Sequence, residues 1–154
     1  MSADVLAVVQ SLFTSEFALA CAFAALTATL VALCVPGTII PVSVSSGALL
    51  GGVVGGAAVL AGVLVGSQVL FLASRHLLRE RVRARWGERL ARFEDHFARR
   101  GFLYVVGLRV AGVPHFLVTA GSALSPVRSR TFLAATLLGF LPVIGLTSTA
   151  GSLF

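Results

Sequence analysis

Lysine is absent from this chain, and no charged residue of either sign stands between Glu16 and Arg75. Charged residues make up only 12% of the sequence, where a soluble domain carries about 25%. These two shortages exclude an ordinary water-soluble fold. The uncharged run from Phe17 to Ser74 exceeds twice the roughly 20 apolar residues that one bilayer-crossing helix requires. It must therefore enter the bilayer, turn and enter again. The 154 residues have room for one membrane domain and for no separate soluble one.

Cysteine and histidine are also scarce. Cys21 and Cys34, if on one helix, are separated by about 20 Å along its axis. That separation excludes a bridge between them, so both are read as small apolar packing residues. His76, His96 and His115 are scattered, which gives no metal-ligand spacing and no expected cofactor. No serine has a plausible His/Asp pair, so hydrolytic chemistry has no support and the chain is not read as an enzyme. A cleaved secretory leader needs a basic start, and Met1 to Glu16 holds only Asp4 and Glu16.

What remains is apolar chain, glycine, proline and arginine, with a mean hydropathy of +0.98. Val5, Leu6, Val9, Leu12 and Phe13 follow helical spacing in a short amphipathic lead. Residues 17–35 read as a first span. Pro36, Gly37 and Pro41 then break the helix, and residues 36–52 stay uncharged. Lipid cannot satisfy freed backbone groups, so this segment is expected to be re-entrant, with Pro41 at its break. Residues 53–74 form the next span. Its four-spaced glycines (Gly51/Gly55, Gly52/Gly56, Gly62/Gly66) predict close helix packing rather than ligand contact.

Residues 75–100 carry nine arginines against Glu80, Glu88, Glu94 and Asp95. Leu78, Val82, Trp86, Leu90, Phe93 and Phe97 form one apolar stripe, which predicts an amphipathic helix lying in the membrane interface. Its excess of arginine places it on the cytoplasmic side, with Arg79, Arg83 and Trp86 as interfacial lipid contacts. Nucleic acid is not expected as a partner, because the apolar stripe would compete for lipid.

Residues 101–124 are apolar except Arg109 and are interrupted at Gly112 and Pro114; residues 131–153 form a last span. If 101–124 crossed the bilayer, Arg128 and Arg130 would lie opposite the basic segment. A second re-entrant hairpin keeps them on one side. Entering from opposite faces, the two hairpins would make an inverted repeat, with Pro41 set beside Pro114, as at transporter midplane sites.

Arg109 is the leading candidate residue. An arginine at membrane depth costs about 3 kcal/mol and usually faces protein or water. With amides freed by the break at Pro114, its planar fork would suit a phosphate. A snorkelling arginine is the competing reading. His115 could bind the same headgroup or carry a proton.

In order along the chain, these residues resemble the DedA superfamily, also called the VTT or SNARE-associated domain, and within it a bacterial branch akin to Golgi Tvp-type proteins. The resemblance rests on Val35-Pro36-Gly37-Thr38 with Ser46-Gly47, on Gly62, Gly66-Ser67 and Phe71 to Arg75, and on Leu108-Arg109-Val110 with Val113-Pro114. Ala123-Leu124, Phe132, Ala135-Thr136, Gly139 and Pro142 complete it. The chain departs from the family's pattern in lacking a proline near Gly112 and membrane-embedded carboxylates. The resemblance implies an all-α membrane fold with re-entrant hairpins and the movement of a lipid or lipid-phosphate between leaflets. The expected setting is a bacterial inner membrane crossed several times. The headgroup would meet Arg109, Pro114, His115, Pro36, Gly37 and Pro41. The expected partners are membrane lipids with anionic headgroups, and a homo-oligomer is admitted. The alternatives are a non-transporting protein of membrane assembly and a transporter of small solutes.

Overall fold

Three long helices and three short ones make up the described part of the chain. The computed structural model describes residues 3–77, 80, 84, 101–103, 105–125 and 127–154. The long helices are α1 (Ala3–Ala32), α3 (Gly52–Leu77) and α6 (Ser129–Gly151). Each contains a stretch apolar and long enough to cross a membrane: Thr14–Ala32, Gly52–Leu77 and Ser129–Gly151. The short helices are α2 (Ile39–Leu50), α4 (Gly101–Val110) and α5 (His115–Leu124). Twelve residues in α2 rise only about 18 Å, well short of the roughly 30 Å hydrocarbon core. No strand occurs among the described residues.

Glycine decides which helices meet. A Cβ on Gly62 would come within 2.5 Å of the Ala24 carbonyl, and one on Gly66 within 2.5 Å of the Ala28 carbonyl. Matching steps of four on both helices mean that α1 and α3 run parallel with their backbones in contact. Gly55 lies against the Ser46 backbone of α2, and Gly47 and Gly151 lock α2 to α6 at the Ser148 and Val44 carbonyls. In lipid, where apolar side chains gain little by leaving the solvent, this close approach is the main source of helix association. The glycine spacings are thus packing devices. Gly47→Val would drive its side chain into the Ser148 backbone, which cannot step aside. Overpacking of 1–3 kcal/mol or more is expected to lower the melting temperature of the purified protein by roughly 10 °C. Gly121→Val, with nothing within 4 Å of its Cβ, serves as the control that leaves melting unchanged.

Side-chain packing fills the rest. Val31, Val59, Val63 and Ile144 form one buried cluster between α1, α3 and α6. Phe71, Val105, Val118, Ala123, Phe132 and Ala135 belong to a second, in which the Phe71 and Phe132 rings stack at 4.5 Å. That second cluster seats α4 and α5 against α3 and α6.

Two turns interrupt the helices, and they are built alike. Leu33, Cys34 and Val35 donate their amides to Thr29, Val31 and Leu30; Ala111, Gly112 and Val113 donate to Gly107, Arg109 and Leu108. In both, the residue before Val-Pro is left-handed, Cys34 at φ 60° and Gly112 at φ 75°. The bond from the valine amide to the carbonyl five residues back is a Schellman closure. Pro36 and Pro114 then forbid further helix.

This geometry corrects the expected break at Pro41. Pro41 lies in the first turn of α2, which runs unbroken from Ile39 to Leu50; a first-turn residue needs no intrahelical amide bond. The structural counterpart of Pro114 is Pro36. The expected lead and first span also form a single helix, because the lead's own spacing is helical. Beyond Leu77, only Glu80 and Ala84 of the basic segment are described, so the expected interfacial helix with Arg79, Arg83 and Trp86 lies outside the described residues.

The start of α4 and the residues that follow α5 lie together at one end of α3. A Cβ on Gly101, where α4 begins, would meet the Val127 side chain at 2.8 Å. Val127 follows α5, and its carbonyl accepts from the Arg75 Nη1 at 3.2 Å, with the Ser125 carbonyl at 3.4 Å from Nη2. Arg75, Gly101 and the start of α6 therefore cluster together. The Arg75 guanidinium also sits 5.3 Å from the Phe71 ring centroid.

Candidate functional site

Arg109 leaves the last turn of α4 just before the Gly112 turn and is 8% exposed. Its stem crosses α6 at Gly139, where a Cβ would approach the Arg109 Cβ and Cδ to 3.0 Å. The guanidinium then lies along a row on α6 at helical spacing: Phe132, Thr136 and Phe140. Its central carbon is 5.4 Å from the Phe132 ring centroid and 4.8 Å from that of Phe140, within cation–π range. Nη2 donates to the Thr136 hydroxyl at 3.1 Å and the Thr119 hydroxyl at 3.4 Å. Nη1 lies 2.7 Å from the His115 Nδ1. Nε is buried and has no partner among the described residues.

Two residues one turn apart at the start of α5, His115 and Thr119, and Ser67 of α3 close the network. His115 Nε2 is 3.4 Å from both the Thr119 and the Ser67 hydroxyl oxygens. The His115 ring packs 5.6 Å from Phe140. A guanidinium has only donors, so Nδ1 must accept and the proton of the neutral ring resides on Nε2. His115 is held as a neutral hydrogen-bonding relay between Arg109 and the hydroxyls of Thr119 and Ser67.

Arg109 and His115 also line a cavity of about 460 Å³. Its opposite wall is the first turn region, including Val31, Val35, Pro36, Gly37 and Ile40. The two equivalent turns thus face each other across one space, midway along α3 and α6. Lining it with aliphatic side chains around one charged group gives the composition of a site for an amphiphile. Val31 occupies the position in the first turn that Arg109 occupies in the second, so only one of the two turns is charged.

Of the residues expected at the site, Pro36, Gly37, Arg109, Pro114 and His115 share this cavity; Pro41 is not among its lining residues. The amides expected to be freed by the break are largely used: Ala111, Gly112 and Val113 close the turn on α4 carbonyls. Arg109 supplies the donors instead. Ser67, Thr119, Thr136, Gly139 and Phe140 were not singled out for this role. Thr136 and Phe132 could have been found by asking which α6 residues stand four apart around the position facing a buried arginine. Gln68 and Ser129, whose side chains bond between α3 and α6, gave no such signal.

Apolar helices of spanning length, with short helices between them and a buried cation beside an apolar cavity, define a helical membrane protein. The family model described as the VTT domain matches residues 35–153, and the chain belongs to that family, the DedA family. No curated protein and no solved structure matches it.

Proposed function

We propose that this protein moves a lipid with an anionic headgroup between the leaflets of a bacterial inner membrane, and that Arg109 receives the headgroup. The observation that carries this reading is a buried guanidinium on the wall of an apolar cavity, with no carboxylate partner among the described residues. An unpaired buried charge is costly, and a protein retains one where it meets an opposite charge in function. The cavity's aliphatic wall suits acyl chains, which a small-solute transporter would not require.

The two turns support a re-entrant reading. α2, α4 and α5 are each too short to cross, and an irregular backbone at membrane depth is tolerated where it lines a cavity. In this reading the α1–α2 turn enters from the outer side and the α4–α5 turn from the cytoplasmic side. The clustering of Arg75, Gly101 and Val127 supports one cytoplasmic end for Arg75 and Arg128. In a cysteine-free background, His76→Cys and Arg128→Cys are expected to react with an impermeant maleimide from the same face. Labelling from opposite faces would remove the second re-entrant hairpin.

The direct test is a flipping assay in reconstituted vesicles with fluorescent phosphatidylglycerol, phosphatidic acid and phosphatidylcholine. Faster exchange of the anionic lipids than in protein-free vesicles is the expected result. Exchange at the protein-free rate for all three would overturn the reading in favour of a role in membrane assembly.

A further inference from the structure

The hydrogen bonds around Arg109 fix the charge of the site, and with it the class of headgroup. Resting on the headgroup reading above, we infer that the cavity takes a phosphodiester monoanion and discriminates against a phosphomonoester dianion.

Arg109 contributes one positive charge. His115, the other basic group on the wall, cannot add a second while its Nδ1 accepts from the Arg109 Nη1 at 2.7 Å, because that nitrogen is then bare. The remaining ionisable side chain on the wall is the Cys34 thiol, from the α1 turn. The parts of α2, α3 and α6 that face the network present only hydroxyl, aliphatic and aromatic groups. A monoanion therefore brings the site to neutrality. A dianion would leave one negative charge beside aliphatic side chains with no cation on the wall to meet it. A zwitterion leaves its cation without a carboxylate to meet.

Donor count points the same way. Of the five N–H donors of Arg109, three are bonded to His115, Thr119 and Thr136, which leaves the Nε–H and the second Nη1–H without a partner among the described residues. Two free donors and one charge match the two unesterified oxygens of a diester. A monoester dianion has three exposed oxygens to satisfy, and reaching them would require Arg109 to abandon its protein partners.

The test uses the purified full-length chain and short-chain lipids competing with a fluorescent phosphatidylglycerol probe. A monoester's second proton is lost near pH 6, whereas a diester keeps one charge throughout. At about pH 7.5, dihexanoyl phosphatidylglycerol is expected to compete at least about tenfold better than dihexanoyl phosphatidic acid, a difference of about 1.4 kcal/mol. At about pH 5 the phosphatidic acid becomes a monoanion, and the gap is expected to close while the diester is unchanged. Equal or stronger competition by phosphatidic acid at the higher pH would overturn the charge rule and leave the headgroup reading standing. A diester that itself binds differently at the two pH values would also overturn it, because His115 would then be titrating. Glycerophosphoglycerol, the same diester without acyl chains, should compete at least about tenfold more weakly. Equal competition would make the occupant a soluble phosphodiester, which overturns the lipid reading while the charge rule survives.

Discussion

Replacing Arg109 with alanine is expected to abolish anionic-lipid exchange in reconstituted vesicles while leaving the amount of inserted protein unchanged. Arg109 holds the cavity's charge and links three side chains from two helices: His115 and Thr119 on α5, and Thr136 on α6. Hydrogen bonds to charged groups contribute about 1.5–3 kcal/mol each. Losing two such contacts to a headgroup or its supports corresponds to more than about a hundredfold in rate or affinity, at 1.4 kcal/mol per tenfold. Lysine tests whether charge alone suffices. Its ammonium is a single point that cannot reach hydroxyls on both α5 and α6 while also meeting the His115 ring, so Arg109→Lys is expected to lose at least about tenfold. A lysine variant that exchanged lipid at the wild-type rate would show that the geometry around the guanidinium is incidental. An alanine variant doing so would remove Arg109 from the transport path.

Much of the membrane character was legible in the sequence because it depends on composition. The charge-free run before Arg75 and the glycine spacings are local properties, and they correspond to α1, α3 and close backbone contacts at Gly55, Gly62 and Gly66. The break at Gly112–Pro114 was also legible, since glycine and proline act on their own neighbours. Pro41 misled because proline has opposite meanings in the first turn of a helix and in its interior. Pro36 and Gly37 announced that the first helix ends. The turn itself is closed by Cys34 in the left-handed region, a conformation a cysteine rarely adopts, so no residue type announced the closure. Compared as backbones, Cys34-Val35-Pro36 and Gly112-Val113-Pro114 form the same turn; compared as residues, only Val-Pro is shared.

Arg109 itself was visible as an isolated charge, but its surroundings were not. Thr119 is ten residues away, Thr136 twenty-seven and Ser67 farther still, so their convergence depends on how four helices pack. Hydroxyls in membrane helices often bond to the carbonyl four residues back, as Thr119 does to His115 and Thr136 to Phe132. Such back-bonding satisfies them locally, which hides any second partner from a reading of the sequence.

Gly139 offers the sharpest separation of the site from the general packing of the bundle. Gly139→Val is expected to reduce anionic-lipid exchange to nearly the level of Arg109→Ala, although the substitution leaves the charge of the site unchanged. The new Cβ would sit 3.0 Å from the Arg109 Cβ and Cδ, and its two methyls would extend into the space the stem now fills. The guanidinium would then shift off the Phe132–Thr136–Phe140 row, and displacements of about 1 Å are enough to cost a hundredfold where groups act in concert. Gly145→Val lies in the same helix with nothing within 4 Å, so it controls for the change in backbone propensity and is expected to leave exchange intact. If Gly139 acts through Arg109, the Gly139→Val/Arg109→Ala double variant should be no worse than Arg109→Ala alone, since contacting residues that serve one function are not additive. Full additivity would instead mean that Gly139 packs the bundle independently of the arginine, and the stem's path across α6 would have no part in function.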